Sequence, residues 1–260
     1  MIDVQNQIDD RGIKIQRTGI SGVYLPLIIL NQNVLAKIKF TVALNKNTRG
    51  THMSRLAEIL TDYVNISLKI SDVEKILRDA IEKLETNFSA VEIAFKFFVK
   101  KIAPVSERES LLDIDCKFVG ELSKNSSMKF ILNLAVPFTS LCPCSKEISD
   151  FGAHNQRSVC RVQLEFSDTE KLDEINIFEI VDLIESQGSS KIFPILKRED
   201  EKFVTETAYK NPKFVEDILR DIVLALREIK NLSAFEVECE NFESIHNHSA
   251  FAFQKENFEK

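Results

Sequence analysis

Twice along this chain the spacing of apolar residues switches from every second position to every third or fourth and back again, and this order restricts the fold more than any single motif. Residues 36–44 alternate cleanly, with Ile38, Phe40, Val42 and Leu44 on one face, as a half-buried strand requires. Just before them, residues 23–30 (VYLPLIIL) predict a strand at a sheet edge, because Pro26 has no N–H to give to a ladder. Residues 1–20 carry no strong periodicity and predict an N-terminal arm. Helical spacing then takes over in Leu56, Ile59, Leu60 and Tyr63, and again in Val73, Ile76, Leu77, Ala80, Ile81 and Leu84. Alternation returns in Val91, Ile93, Phe95, Phe97 and Val99 and, past Pro104, in Leu112, Ile114, Cys116 and Phe118.

The second half repeats the order. Residues 129–138 alternate through Phe130, Leu132, Leu134 and Val136, and Cys160, Val162, Leu164 and Phe166 do the same after a loop. One helix is expected over 177–186 and a longer one over 213–230, started by Asn211 as N-cap and Pro212 at the first helical position. Residues 233–242 and 248–253 close the half as strands. The expected class is therefore α+β, with two tandem ββααββ modules, 1–125 and 126–260, each laying helices on one face of an antiparallel sheet. Phe235, Val237 and Cys239 alternate with Glu236, Glu238 and Glu240, which predicts one covered and one charged side there.

A formal net charge of −6 excludes a nucleic-acid binder working through a general basic field, so any anionic ligand needs a local basic cluster. The first residues lack an apolar signal core, and no run approaches the roughly eighteen apolar residues of a membrane span. A cytoplasmic protein with neither nucleic-acid nor membrane partner is expected. Five cysteines without a secretory signal predict reduced thiols. Cys116, Cys160 and Cys239 sit in apolar alternating runs, as core residues do.

The other two cysteines belong to residues 140–158, SLCPCSKEISDFGAHNQRS. Cys142 and Cys144 precede His154 by twelve and ten residues, so a loop that folds back can bring thiolate and imidazole onto one ion. Pro143 is expected to keep the CPC segment extended. A closed structural zinc site needs four protein ligands; two or three with an open position suit a catalytic metal. Two half-buried cysteines beside a turn histidine fit the same spacing.

Together with NTRGTHMSR, ILKREDEKFVTETAYKNPKFVED and FESIHNHSA, in that order along the chain, this loop resembles GTP cyclohydrolase type IB over nearly the full length. The resemblance implies the tunnelling fold, two ββααββ modules per subunit, and a homotetramer with active sites at subunit boundaries. It implies a hydrolase acting on cyclic amidines, which opens the guanine of GTP at C8, releases formate and forms 7,8-dihydroneopterin triphosphate, the first step of tetrahydrofolate biosynthesis. One divalent metal per site, zinc, manganese or iron(II), and no organic cofactor are implied, with Cys142, His154 and Glu201 as ligands. Cys144 is assigned a catalytic part beside them. His246 is implied as the proton-transfer group, with Glu243 orienting it or a water; His248, two residues on, would point to the opposite face of a strand unless a turn intervenes. Glu216 is implied to anchor guanine, although its side chain could equally pair with Arg220 four positions on. Arg49, His52 and Arg55 precede a helix, where an anion is favoured, and with Lys197 and Arg198 are assigned to the triphosphate. No G-x-x-x-x-G-K-[ST] is present, so a P-loop hydrolase is unsupported. The alternatives are an archaeal-type relative forming the 2′,3′-cyclic phosphate of dihydroneopterin and a noncatalytic, metal-binding oligomeric scaffold.

Overall fold

The computed structural model describes residues 4–5, 7–166 and 168–258, which leaves residues 1–3 and 6 of the expected N-terminal arm outside the described residues. The chain divides into two compact units. The first comprises Met1–Lys96, Lys117–Leu132 and Phe166–Ile175, the second Phe97–Cys116, Asn133–Glu165 and Asn176–Lys260.

In the first unit, β1 (Ile15–Ile29) and β2 (Gln32–Leu44) form an antiparallel hairpin, and β2 pairs in turn with β4 (Phe88–Ile102), Ile38 opposite Ile93 and Phe40 opposite Val91. The hairpin turn, Leu30 and Asn31, has positive φ at both residues, the geometry whose twist matches paired strands. Two helices, α1 (Met53–Asp62) and α2 (Asp72–Lys83), bury Leu56, Ile59 and Leu60, and Val73, Ile76, Leu77 and Ala80. The even-numbered residues of β2, Ile38, Phe40 and Val42, are buried as well; each such side chain contributes about 1.5–3 kcal/mol by leaving water. A two-residue strand, β3 (Ser67–Leu68), runs parallel to the end of β1 at Ile28 and Ile29. Elsewhere β1 has no strand on its outer side among the described residues, which is the edge position that Pro26 requires.

The strand itself begins earlier than its apolar pattern. Residues 15–20, taken from sequence as part of an arm, belong to the stretch that pairs with β2 through two register shifts, and at Gly19 a Cβ would stand 2.1 Å from the Phe40 carbonyl oxygen. Backbone pairing, not side-chain alternation, makes that stretch a strand.

β5 (Glu109–Ser123) is followed by β6 (Lys129–Leu141), a short helix α3 (Pro143–Ile148), β7 (Asn155–Phe166) and a 3-10 turn at Thr169–Glu174. Then come α4 (Ile177–Glu185), α5 (Arg198–Lys210), α6 (Val215–Arg227), β8 (Leu232–Asn241) and β9 (Ala250–Asn257). The strands hydrogen-bond in the order β3-β1-β2-β4-β5-β6-β7-β8-β9. In the second unit α6 buries Val215, Ile218, Ile222 and Leu226, and β8 alternates as expected, with Phe235, Val237 and Cys239 buried. Its glutamates face cations instead: Glu236 pairs with Lys255, and Glu238 and Glu240 both pair with Arg161. No helix among the described residues is long and apolar enough to cross a membrane.

The start of the last long helix differs from the sequence expectation. Asn211 is the C-cap of α5, and α6 begins at Val215, with Phe214 as N-cap and its N–H bonded to Asp217 Oδ2 at 3.1 Å. Pro212 lies in the link, where it stops α5 rather than opening α6. α5 was illegible because only Asp200 and Ala208 on it are buried, so it carries no apolar stripe.

Candidate active site

β6 ends by delivering Cys142 to the N-cap of α3. Cys142 is extended (φ −69°, ψ 119°) and its Sγ accepts the Ser145 N–H at 3.5 Å. Pro143 occupies the first turn of the helix, so the CPC segment does not stay extended as expected: the φ that proline imposes is also that of a helical first residue, where its missing N–H has no partner to lose. Cys144 is exposed on this first turn. Beyond α3 the chain reverses through Gly152, whose φ of +131° suits only glycine, and returns His154 to the cysteine. The Cys142 N–H donates to the His154 carbonyl at 3.1 Å, and the His154 N–H to Ser145 Oγ at 3.2 Å.

The His154 ring is largely buried, and its Nδ1 lies 2.9 Å from Gln156 Oε1 and 3.7 Å from Glu243 Oε2. Gln156 Nε2 donates to Ser140 Oγ at 2.8 Å, and the Ser158 hydroxyl donates to the same Ser140 oxygen at 2.8 Å. Ser140 and Ser158 are fully buried. The Lys213 N–H donates to the Leu141 carbonyl at 3.1 Å, which ties the lead-in of α6 beside Cys142. On the first turns of α6, Glu216 lines a cavity of about 630 Å³ together with Leu219, Val223, Ala252 and Phe253. Arg220 does not take it: the guanidinium pairs with Asp217 at 3.3 Å.

A family model described as "Type I GTP cyclohydrolase folE2" matches residues 1–252. Similar proteins named GTP cyclohydrolase FolE2 include one from Geobacter sp. (strain M21), 45% identical over 252 residues, 95% of this chain and 91% of that one. Another, from Syntrophobacter fumaroxidans, is 40% identical over 96% of each chain. The chain belongs to the type I GTP cyclohydrolase folE2 family. Among solved structures it is similar to uricase from Arthrobacter globiformis (TM-score 0.57, 7% identity, 94% of both chains) and urate oxidase from Bacillus subtilis 168 (0.54, 8%, 93% of this chain and 98% of that one). At such identity the likeness carries the fold alone, which is the tunnelling fold.

Of the other residues singled out for this folE2-family chain, His246 and His248 lie in the turn that precedes β9, not in the strand. Strand alternation therefore does not separate them: their rings stack, with centroids 4.8 Å apart and planes 12° from parallel. Glu243 directs its carboxylate towards His154 and Gln156, while its carbonyl accepts the His246 N–H at 3.2 Å. Glu201, Lys197 and Arg198 are exposed at the start of α5. Arg49, His52 and Arg55 belong to the first unit, where Arg49 bonds Gln7 Oε1 at 2.5 Å and Arg55 bonds the Lys83 carbonyl at 2.9 Å; Arg55 lies within α1, whose N-cap is His52. Among the described residues no three His, Cys, Asp or Glu side chains converge where they could hold one metal ion. Cys142 and His154 are nevertheless joined through their backbones, and their sulfur and nitrogen are donors that zinc and its neighbours accept. The core thiols of Cys116 and Cys160 are out of play, since burial pushes both well up and leaves them protonated.

Asp200 escaped the sequence reading, although the capping pattern three residues past Lys197 is its signal. Fully buried, its carboxylate accepts the N–H groups of Val105 (2.8 Å), Ser106 (2.9 Å) and Lys197 (2.8 Å) and the Ser106 hydroxyl (2.5 Å). It thereby pins the first turn of α5, which carries Glu201. Burial alone would raise its pKa, but these donors hold it well below the usual carboxylate range. A depressed folded value means that the stabilisation is complete above the ordinary aspartate range and is lost as pH falls through it towards the folded value. Asp200→Asn should therefore melt a few degrees below the parent at pH 7, with the gap narrowing as pH drops below about 4. A constant gap across that range in thermal melts would show that the charge is not what Asp200 contributes.

Proposed function

We propose that this chain hydrolyses GTP at guanine C8, releasing formate and forming 7,8-dihydroneopterin triphosphate for folate biosynthesis. Membership of the folE2 family supports the substrate, and the observation that carries the chemistry is the return of His154 to Cys142, which places a nitrogen and a sulfur donor on one short loop. In this proposal Cys142 and His154 would hold one divalent metal, and Glu201, exposed at the start of α5, would complete the set by closing on them. When bound, the metal supplies a Lewis acid that brings water towards ionisation near neutral pH. Mixed sulfur, nitrogen and oxygen donors do not select strongly among zinc, manganese and iron(II).

The chain's own groups do the rest. Glu216 accepts the guanine N1–H and 2-amino N–H, with the apolar side chains of Leu219, Val223 and Phe253 beside that contact. His246 and His248 are a stacked pair able to take up and return protons as the ring opens, with the exposed thiol of Cys144 assigned to the same task. Lys197 and Arg198 are free of the core and suit the triphosphate; Arg49 and Arg55 serve only by exchanging their bonds to Gln7 and Lys83 for phosphate oxygens. Incubation with GTP and each metal in turn, followed by assay of formate and of the oxidised, fluorescent pterin, tests this directly. Phosphate analysis of the pterin distinguishes the triphosphate from a cyclic phosphate, and absence of formate with every metal would end the cyclohydrolase proposal.

The assembly proposed is a cytoplasmic homotetramer whose subunits share active sites. β9 stands last in the strand order and presents Phe251 and Phe253, 60% and 49% exposed, so its edge is suited to pairing with another copy. Sedimentation should give a tetramer, and a charged replacement, Phe251→Glu, should shift it towards smaller species with a parallel loss of turnover. A fully active monomer at assay concentration would contradict both the assembly and the shared sites.

A further inference from the structure

The histidine of the loop is held by more than its neighbours in sequence. We propose that Gln156 is a positioning residue that fixes His154 in the Nδ1–H tautomer, so that Nε2 carries the lone pair, and that buried Ser140 and Ser158 in turn fix Gln156. The chemistry that Nε2 would meet is a divalent cation, so this inference rests on the metal assignment proposed above.

Each bond in the network constrains the next. Gln156 offers one oxygen and one NH2 group, and the two ends could in principle be exchanged. The Gln156 nitrogen lies 3.5 Å from Glu243 Oε1, and an ionised carboxylate only accepts, so the group facing it is the NH2. The same nitrogen donates to Ser140 Oγ at 2.8 Å, an oxygen that also accepts the Ser158 hydroxyl at 2.8 Å. With the NH2 committed there, Oε1 faces His154 Nδ1 at 2.9 Å, and the second acceptor near that nitrogen is Glu243 Oε2 at 3.7 Å. Two acceptors facing Nδ1 favour a proton on it; a neutral ring then has its lone pair at Nε2. Turning the amide over would set oxygen against carboxylate oxygen and nitrogen against the ring. Ser140 and Ser158 are 0% exposed and Gln156 is 7% exposed, so water cannot readily replace these partners. Metal-binding histidines characteristically give their other N–H to a partner of this kind, and loss of such a partner typically weakens metal affinity by about 10–100-fold.

The first test is the nitrogen spectrum of the metal-free parent, labelled with 15N-histidine and recorded at about pH 8.5, where an ordinary imidazole is neutral. His154, assigned with a His154→Gln variant, should show a protonated Nδ1 and an unprotonated Nε2. A dominant Nε2–H form overturns the proposal without any variant having to fold. The second is titration with Co2+ alone. Gln156→Leu should weaken binding by about 10–100-fold and mix the tautomers, while Gln156→Glu, which keeps an acceptor opposite Nδ1, should restore affinity to within a few-fold of the parent. Equal binding by Gln156→Leu and parent, or equal loss in Leu and Glu variants, also overturns it. Neither readout depends on turnover: a parent with the Nδ1–H form and no reaction with GTP removes the cyclohydrolase proposal and leaves this one standing, and the reverse result does the opposite.

Discussion

Cys142→Ala is expected to lower bound metal from about one ion per chain to near zero and GTP turnover by about a thousandfold or more, because a Lewis acid of this kind supplies several kcal/mol to the reaction. The fold should hardly notice. Cys142 caps α3 through a 3.5 Å N–H to sulfur bond, and α3 buries none of its six residues, so the loss is expected at the low end of about 0.5–2 kcal/mol for a cap. Cys144→Ala is the matched control: that thiol is exposed on the first turn of the same helix, and its removal should leave metal content intact and retain more activity. Metal analysis and steady-state kinetics on the two variants settle which sulfur matters. Full metal occupancy with full activity in Cys142→Ala would remove the proposed metal site, and a reversed ranking would transfer its role to Cys144.

Strands and helices with a clean apolar face were legible in the sequence because period alone decides them. β2, β4, β6 and β7, and the helices α1, α2 and α4, fall where alternation or helical spacing put them. The stretches that were missed owe their structure to something other than an apolar face. The start of β1 is held by backbone pairing to β2, α3 by a proline that was taken for an extended residue, and α5 by the buried carboxylate of Asp200. Lys101 shows the same limit inside a strand that was otherwise read correctly. It stands on the buried side of β4, 5% exposed, in an ion pair with Glu185 and over the ring of Phe193. Its partner lies 84 residues away, so no local pattern could announce that a lysine belongs inside. Glu185 sits there with its carboxyl pushed up by burial against the opposing pull of Lys101.

Within the candidate site, residue types were legible and partnerships were not. The spacing of Cys142, Cys144 and His154 announced a loop that folds back, and the structure joins Cys142 to His154 by a backbone bond. That Gln156, Ser140 and Ser158 back the histidine was missed because of their polar type, although they continue the buried even-numbered faces of β7 and β6 and strand parity was the signal that could have found them. The resemblance implied that Glu243 orients His246 or a water; its carboxylate lies beside His154, eighty-nine positions earlier in the chain. A turn also replaced the strand expected at His246 and His248, and the consequence is a stacked pair instead of two opposite faces.

Glu216→Gln is expected to lower kcat/KM for GTP by at least about a hundredfold, on the order of 2.7 kcal/mol, with metal content and melting temperature nearly unchanged. Guanine presents N1–H and a 2-amino N–H side by side, and one ionised carboxylate can accept both; hydrogen bonds to a charged acceptor are worth roughly 1.5–3 kcal/mol each. Glutamine keeps the length and helix propensity of the side chain but sets an amide N–H against one of those donors. The competing role, a surface pair with Arg220 worth only about 0.3–0.5 kcal/mol, loses its partner in the structure, because Arg220 bonds Asp217. Glu216 lines the cavity with Leu219, Val223 and Phe253, apolar side chains of the kind a planar base can lie against, and with the charged Arg220, Arg227 and Glu256. The substrate itself provides the check on specificity: inosine triphosphate lacks the 2-amino group, so the parent should discriminate against it while Glu216→Gln should discriminate much less. Turnover of GTP by Glu216→Gln within a few-fold of the parent would mean that guanine is held by another residue, and unchanged discrimination in a slow variant would mean that Glu216 acts elsewhere than on the guanine edge.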